Sequence, residues 1–108
     1  MGSRFNHFHA RNWARMEAGT FGKPHDKIAL VACIAEEMGE LASAVLRVEG
    51  EKTRTTRTRE DVLDAIADQI TYLSLLASAY GVTDLEELLI ETFDMVSERI
   101  GSDIKVNP

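Results

Sequence analysis

The chain is poor in the residues that would cross-link it, interrupt its helices or draw it to a polyanion. It has one cysteine, Cys33, so no internal disulfide can form. A lone thiol fits a reducing compartment, and its neighbours Ala32 and Ile34 describe a buried side chain rather than a nucleophile. It has two prolines, Pro24 and Pro108, and both lie outside the periodic stretches, so no helix is broken by ring geometry. Positive charge is scarce: the formal net charge is −6. That argues against a general nucleic-acid binder, which needs a positive field to displace phosphate counterions. It leaves room for a small phosphorylated ligand, because a bound cation reverses the local sign. No apolar run reaches the length of a membrane span, and Met1 to Ala10 lacks the apolar core of a secretory signal. The expectation is a cytoplasmic protein with neither membrane nor nucleic acid among its partners.

What is present is helical periodicity. The 108 residues suit one domain, 1–108. Domains this small bury a modest fraction of their surface, so pairing with further copies, as a dimer or a tetramer, is expected. A first helix is predicted over Arg4 to Ala18, with Phe5, Phe8, Asn12, Trp13 and Met16 near one face. Gly19 and Gly22 end it. Asp26 is placed to cap a second helix reaching Val48, with Gly50 as its stop. Lys52 to Arg59 is a basic, threonine-rich connection. Thr58 with Asp61 then forms a capping box, and a third helix runs to Tyr80 and Gly81. Its apolar stripe is Val62, Ile66, Ile70, Leu73 and Ala77, widened by Leu63, Leu75 and Leu76. Thr83 with Glu86 reads as a second capping box. The fourth helix ends at Ile100 before Gly101, and its core face is Leu85, Leu88, Leu89, Phe93, Val96 and Ile100. The short tail beyond is expected to be loosely held. No alternating pattern makes a strand. The expected fold is all-α, an antiparallel four-helix bundle completed by homo-oligomerisation.

The chemistry lies in the acids. Glu36 and Glu40 are one turn apart, and Glu37 and Glu40 are three residues apart, so the three carboxylates converge on a helix. Such a group is most often a solvated face. Here Ala35, Met38, Gly39, Leu41 and Ala42 surround it, which is not the composition of open surface. The third helix repeats the theme with Asp61, Asp64 and Asp68 on one side. Asp68 sits among Ile66, Ala67, Ile70 and Leu73, where a charge needs a partner. Asp61 has a capping role to explain it. Facing helices that each present carboxylates are a common way to build a metal site in a bundle. All three histidines precede the second helix, so the donor set is oxygen-only. Oxygen donors suit magnesium, with manganese as the alternative.

The runs Glu36-Glu37-Met38-Gly39-Glu40-Leu41-Ala42, Asp64-Ala65-Ile66-Ala67-Asp68, Tyr72-Leu73 and Leu75-Leu76-Ala77 resemble the MazG-like all-α nucleoside triphosphate pyrophosphohydrolases. Phe93 and Val96-Ser97-Glu98-Arg99-Ile100-Gly101 extend the likeness, which spans roughly His25 to Gly101. The resemblance implies magnesium-dependent cleavage between the α- and β-phosphates, giving a nucleoside monophosphate and pyrophosphate. It implies Glu37, Glu40 and Asp68 as metal ligands and Glu36 as the residue that orients or activates the attacking water. Ala65 stands where the family has a further ligand glutamate. Thr92 and Asp94 stand where it often has a lysine and an asparagine near the phosphates. Asp64, one turn before Asp68, is the candidate to stand in for the missing ligand. Lys52, Arg54, Arg57 and Arg59 could supply the lost positive charge, or simply be exposed.

Substrate contacts are then sought at Trp13, Tyr72, Asp94 and Arg99. Trp13, with Phe5, Phe8 and Phe21, can stack on a nucleobase or pack as aromatic core, and the amphipathic spacing favours core. The Tyr72 hydroxyl, one turn past Asp68, is placed to bond that carboxylate, and packing alone explains the residue equally well. The leading expectation is nucleotide-pool house-cleaning by pyrophosphohydrolysis. Its rivals are a catalytically impaired nucleotide- or metal-binding relative and a helical bundle that only binds protein.

Overall fold

The structure is a computed structural model that describes residues 3–19, 25–50 and 56–108. Among these there are four helices and no strand: α1 (Arg4–Glu17), α2 (Lys27–Glu49), α3 (Arg59–Ala79) and α4 (Leu85–Ile100). Phe21, Gly22, Pro24, Lys52 and Arg54 lie outside the described residues. No helix among the described residues is long and apolar enough to cross a membrane.

The helix ends follow from short-range chemistry. The first amides of a helix lack intrahelical acceptors, and side chains supply them here. Ser3 Oγ accepts from Asn6 N at 3.0 Å, and Asp26 Oδ1 accepts from Ala29 N at 2.8 Å. The Thr58–Asp61 box is reciprocal: Thr58 N donates to Asp61 Oδ2 at 2.8 Å and Asp61 N to Thr58 Oγ1 at 3.4 Å. α4 corrects the sequence reading by one residue. Its cap is Asp84, whose Oδ1 accepts from Glu87 N at 3.0 Å. The Glu86 amide goes instead to Asn6 Oδ1 of α1 at 3.0 Å, a tertiary acceptor that the Thr83–Glu86 spacing could not reveal. Gly101 ends α4 at φ 73°, in the left-handed region, and Ser102 N closes onto Ser97 O at 2.8 Å, as in a Schellman end.

The tail is also corrected. It folds back along α4 instead of hanging free. Asp94 Oδ1 and Oδ2 accept from Val106 N at 2.6 Å and Asn107 N at 3.0 Å. Ser97 Oγ donates to Ile104 O at 2.6 Å, and Lys105 pairs with Glu98. Asp94 and Ser97 are three residues apart, so they offer an acceptor and a donor on one flank of the helix.

The apolar core is small. Met16, Leu30 and Leu75 are fully buried, with Trp13, Tyr72, Leu76 and Ala79 around them. α2 packs along α3 more extensively than any other pair, and α1 lies on α3. The α1–α3 contact is largely polar. His9 Nδ1 meets Ser74 Oγ at 2.6 Å, His9 Nε2 meets Val82 O at 2.7 Å, and Asn12 Nδ2 donates to Thr71 O at 2.9 Å. So the buried arc of α1 is His9, Asn12 and Met16. Phe5 and Phe8 sit half-buried with ring centroids 6.2 Å apart. The expected stripes of α3 and α4 are mostly bare in the single chain. Ile66, Ile70 and Leu73 are 40%, 44% and 47% exposed, and Leu88, Leu89, Phe93 and Ile100 are likewise exposed. Only Leu75 on α3 and Leu85 on α4 are buried among the apolar residues expected there.

Candidate functional site

The middle of α2 turns Glu37 inward against α3 and leaves Glu36 and Glu40 on its exposed shoulder. One carboxylate oxygen of Glu37, Oε2, is out of contact with solvent and has no hydrogen-bond partner. Burial pushes the Glu37 carboxyl above the usual glutamate range. The negative charges of Glu40 and Asp68, a hydrogen bond with Glu40 and the charge of Glu36 push it further the same way. No cation figures among the groups acting on it. The structure therefore brings Glu36, Glu37, Glu40 and Asp68 into one electrostatic neighbourhood.

Tyr72 stands one turn beyond Asp68 on α3. Burial raises its phenol above the ordinary tyrosine value, helped by Cys33, Glu37 and Asp68. Cys33, through its charge and a side-chain hydrogen bond, and the charges of Glu37 and Asp68 add to that rise. Cys33 and Glu37 are one turn apart on α2, as Asp68 and Tyr72 are on α3, so two rungs meet across the helix pair. Cys33 is half-buried and free.

The remaining candidates fall elsewhere. Asp64 is exposed and is not among the groups acting on Glu37. Asp61 is committed to the Thr58 cap. Ala65 is half-buried, and Thr92 and Arg99 are exposed. Asp94 is occupied by the tail amides. Trp13 packs at the edge of the core. It also walls two clefts. One of about 250 Å³ is shared with His9, Ser78 and Val82, and one of about 460 Å³ with His25, Lys27 and Ala79. Core packing and a cleft-lining role are thus both met at Trp13.

A magnesium ion is the group the resemblance implies. Among the described residues, no three histidine, cysteine, aspartate or glutamate side chains converge tightly enough to hold a metal as they are placed. The donors on α2 and α3 are nonetheless all oxygen, and Glu37 Oε2 is a buried acceptor with no hydrogen-bond partner among the described residues. An unpartnered buried carboxylate oxygen is costly, and a hard cation is one of the few species that would satisfy it.

Sequence reasoning passed over His9. The three histidines were weighed only as metal ligands, yet His9 lies at the centre of the α1 arc that buries Asn12 and Met16. Its wheel position was the available signal. None of the protein-family models, curated proteins or solved structures compared with the chain matches it.

Proposed function

We propose that this chain is a magnesium-dependent nucleoside triphosphate pyrophosphohydrolase, taking a ribo- or deoxyribonucleotide to its monophosphate and pyrophosphate. The observation that carries the reading is the cluster of carboxylates around Glu37, one of whose oxygens is buried without a hydrogen-bond partner among the described residues. The MazG-like run from Glu36 to Ala42 supplies the reaction class. Glu37, Glu40 and Asp68 would hold the cation, which when bound supplies Lewis acidity and a template for the phosphates. Glu36, exposed beside them, accepts the proton of the attacking water on its carboxylate. Trp13 forms one wall for the base. Tyr72, near Glu37 and Asp68, would contact the substrate.

The same reading takes the chain as a single domain with α2 and α3 antiparallel. That order is supported by the contacts they share: Leu30 belongs with Leu75 and Ala79, Cys33 with Tyr72, and Glu37 with Asp68. A second copy is its partner, and a cytoplasmic setting suits the free thiol.

The second reading is a binder without turnover. It is favoured by Ala65 in place of a ligand glutamate, and by Thr92 in place of a lysine. The deciding experiment is release of pyrophosphate across a panel of ribo- and deoxyribonucleotides, with and without magnesium. Magnesium-dependent pyrophosphate supports the enzyme. Thermal stabilisation by nucleotide with no product supports the binder. Indifference to both refutes the two readings together.

A further inference from the structure

Charge is divided unevenly along the chain. The whole carries a net charge of −6, yet α1 holds three arginines, Arg4, Arg11 and Arg15, against one glutamate, Glu17. At about 100° per residue, the three arginines fall within an arc of about 40°. Glu17 lies about 120° from the nearest of them. All three arginines are exposed. Trp13, which packs against the Met16, Leu30 and Leu75 core, lies about 160° around the helix from both Arg11 and Arg15. The basic flank of α1 therefore faces away from the core, and no arginine is among the groups acting on Glu37.

This flank holds a cleft of about 420 Å³, lined among the described residues by Phe8, Arg11, Asn12, Ala14, Arg15 and Ala18. Its size falls within the about 300–1,000 Å³ of small-molecule sites. Arg11 and Arg15 are one turn apart, so their guanidinium groups can close on one anion. Arg11 has no ion-pair partner among the described residues. The inner wall is Asn12, which is 3% exposed. Its Nδ2 donates to Thr71 O at 2.9 Å. A carbonyl only accepts, so this bond fixes which end of the amide is oxygen. The other atom, Oδ1, is buried with no hydrogen-bond partner. A buried amide left half-satisfied is costly, and a donor is what Oδ1 lacks. Phe8, half-buried one turn before Arg11 and Asn12, adds a flat apolar face.

We propose that this cleft binds a phosphate monoester on a flat, N–H-bearing body, the chemistry of a nucleoside monophosphate. Two guanidinium groups match a phosphate dianion in charge, and its three terminal oxygens give each fork its own acceptors. A carboxylate offers two oxygens and one charge. The C-terminus of α1, near Arg15, opposes an anion with only about half a negative charge, well below the two positive charges of the pair. The base lies along Phe8, and Asn12 Oδ1 accepts its N–H. Solvent does not touch Oδ1, so binding includes a small parting of the side chains over it. The site needs no metal, and it does not rest on the proposed pyrophosphohydrolysis.

The test is calorimetric titration of the full chain in EDTA with adenosine monophosphate, adenosine and inorganic phosphate. EDTA removes divalent cations, so the α2–α3 carboxylates repel phosphate and cannot account for the signal. Adenosine monophosphate should bind at least about tenfold more tightly than adenosine or phosphate. Losing one charge-assisted contact costs about tenfold in affinity, so Arg11→Gln and Arg15→Gln should each weaken binding by about that factor. Raised ionic strength should weaken it as well. Both arginines are exposed, so the variants should keep the circular dichroism of the parent. The side-chain amide signals of Asn12 should shift in nitrogen–proton spectra on saturation with the nucleotide. No binding to the parent at millimolar nucleotide overturns the proposal. So does unchanged affinity in the folded double arginine variant, phosphate that binds as tightly as the nucleotide, or Asn12 signals that stay fixed at saturation. A parent chain that releases no pyrophosphate would leave this binding result standing.

Discussion

His9→Leu probes whether α1 is held to α3 by polar chemistry rather than by apolar packing. The ring is 1% exposed and both nitrogens are engaged. A carbonyl oxygen only accepts, so Nε2 carries its hydrogen and donates to Val82 O; in the neutral ring Nδ1 accepts from the Ser74 hydroxyl. Leucine fills similar volume but satisfies neither of these partners nor Ser78 Oγ, which lies 3.2 Å from Nε2. Each buried polar group left unpaired costs about 1–3 kcal/mol. The Ser74 hydroxyl can turn to a carbonyl of its own helix, which puts its share at the low end. The sum is about 3 kcal/mol, which for a domain of this size lowers the melting temperature by roughly 12–24 °C. The assay is thermal unfolding by circular dichroism at one protein concentration, because a dimer's midpoint moves with concentration. Ser74→Ala alone should cost about 1 kcal/mol, and the double variant should cost less than the sum by more than about 0.5 kcal/mol. A His9→Leu chain within about 0.5 kcal/mol of the parent, or strict additivity, would refute the reasoning.

Three further outcomes are expected. The Glu37 carboxyl titrates above its unfolded value, so the folded chain binds the extra proton. Without divalent cation, stability should therefore rise as pH falls through the folded pKa towards the ordinary glutamate value, and be lost as pH rises through it. Glu37→Gln should melt above the parent on the alkaline side of that window and lose the slope within it; an unchanged melting profile would count against the burial of that charge. Ala65→Glu should lower the magnesium concentration needed for half-maximal pyrophosphate release, while Asp64→Asn, exposed and away from the groups acting on Glu37, should leave it unchanged; a raised requirement in Asp64→Asn would restore Asp64 as a ligand. Asp94→Ala should free the tail, seen as fast hydrogen exchange at Val106 and Asn107, and retained protection there would show that Ser97 holds the tail alone.

Local chemistry was legible in the sequence. Asp26, Thr58 and Gly101 act within a few residues of themselves, so spacing sufficed to place them. That Glu37 and Glu40 share one side of α2 was legible from helical spacing; their nearness to Asp68 depends on how α3 packs against α2. What escaped reading depends on distant partners. Asp84 rather than Thr83 caps α4 because Asn6, 78 residues from Asp84, takes over the next amide. The nearness of Cys33 to Tyr72 depends on how α2 packs on α3, which spacing within α3 does not give. Burial of the Ile66–Leu73 and Leu89–Ile100 stripes could not be judged from one chain, since neither is covered within it.

The most direct measurement is pyrophosphate formed from a nucleoside triphosphate by the parent chain, by Glu37→Gln and by Glu40→Gln, each titrated with magnesium. The parent should release pyrophosphate and monophosphate in equal amounts, only with the cation present. Each variant should lose at least tenfold in rate, equivalent to about 1.4 kcal/mol of transition-state stabilisation. Release of orthophosphate instead, turnover without magnesium, or full activity in both variants would contradict the proposed role of the α2–α3 carboxylates.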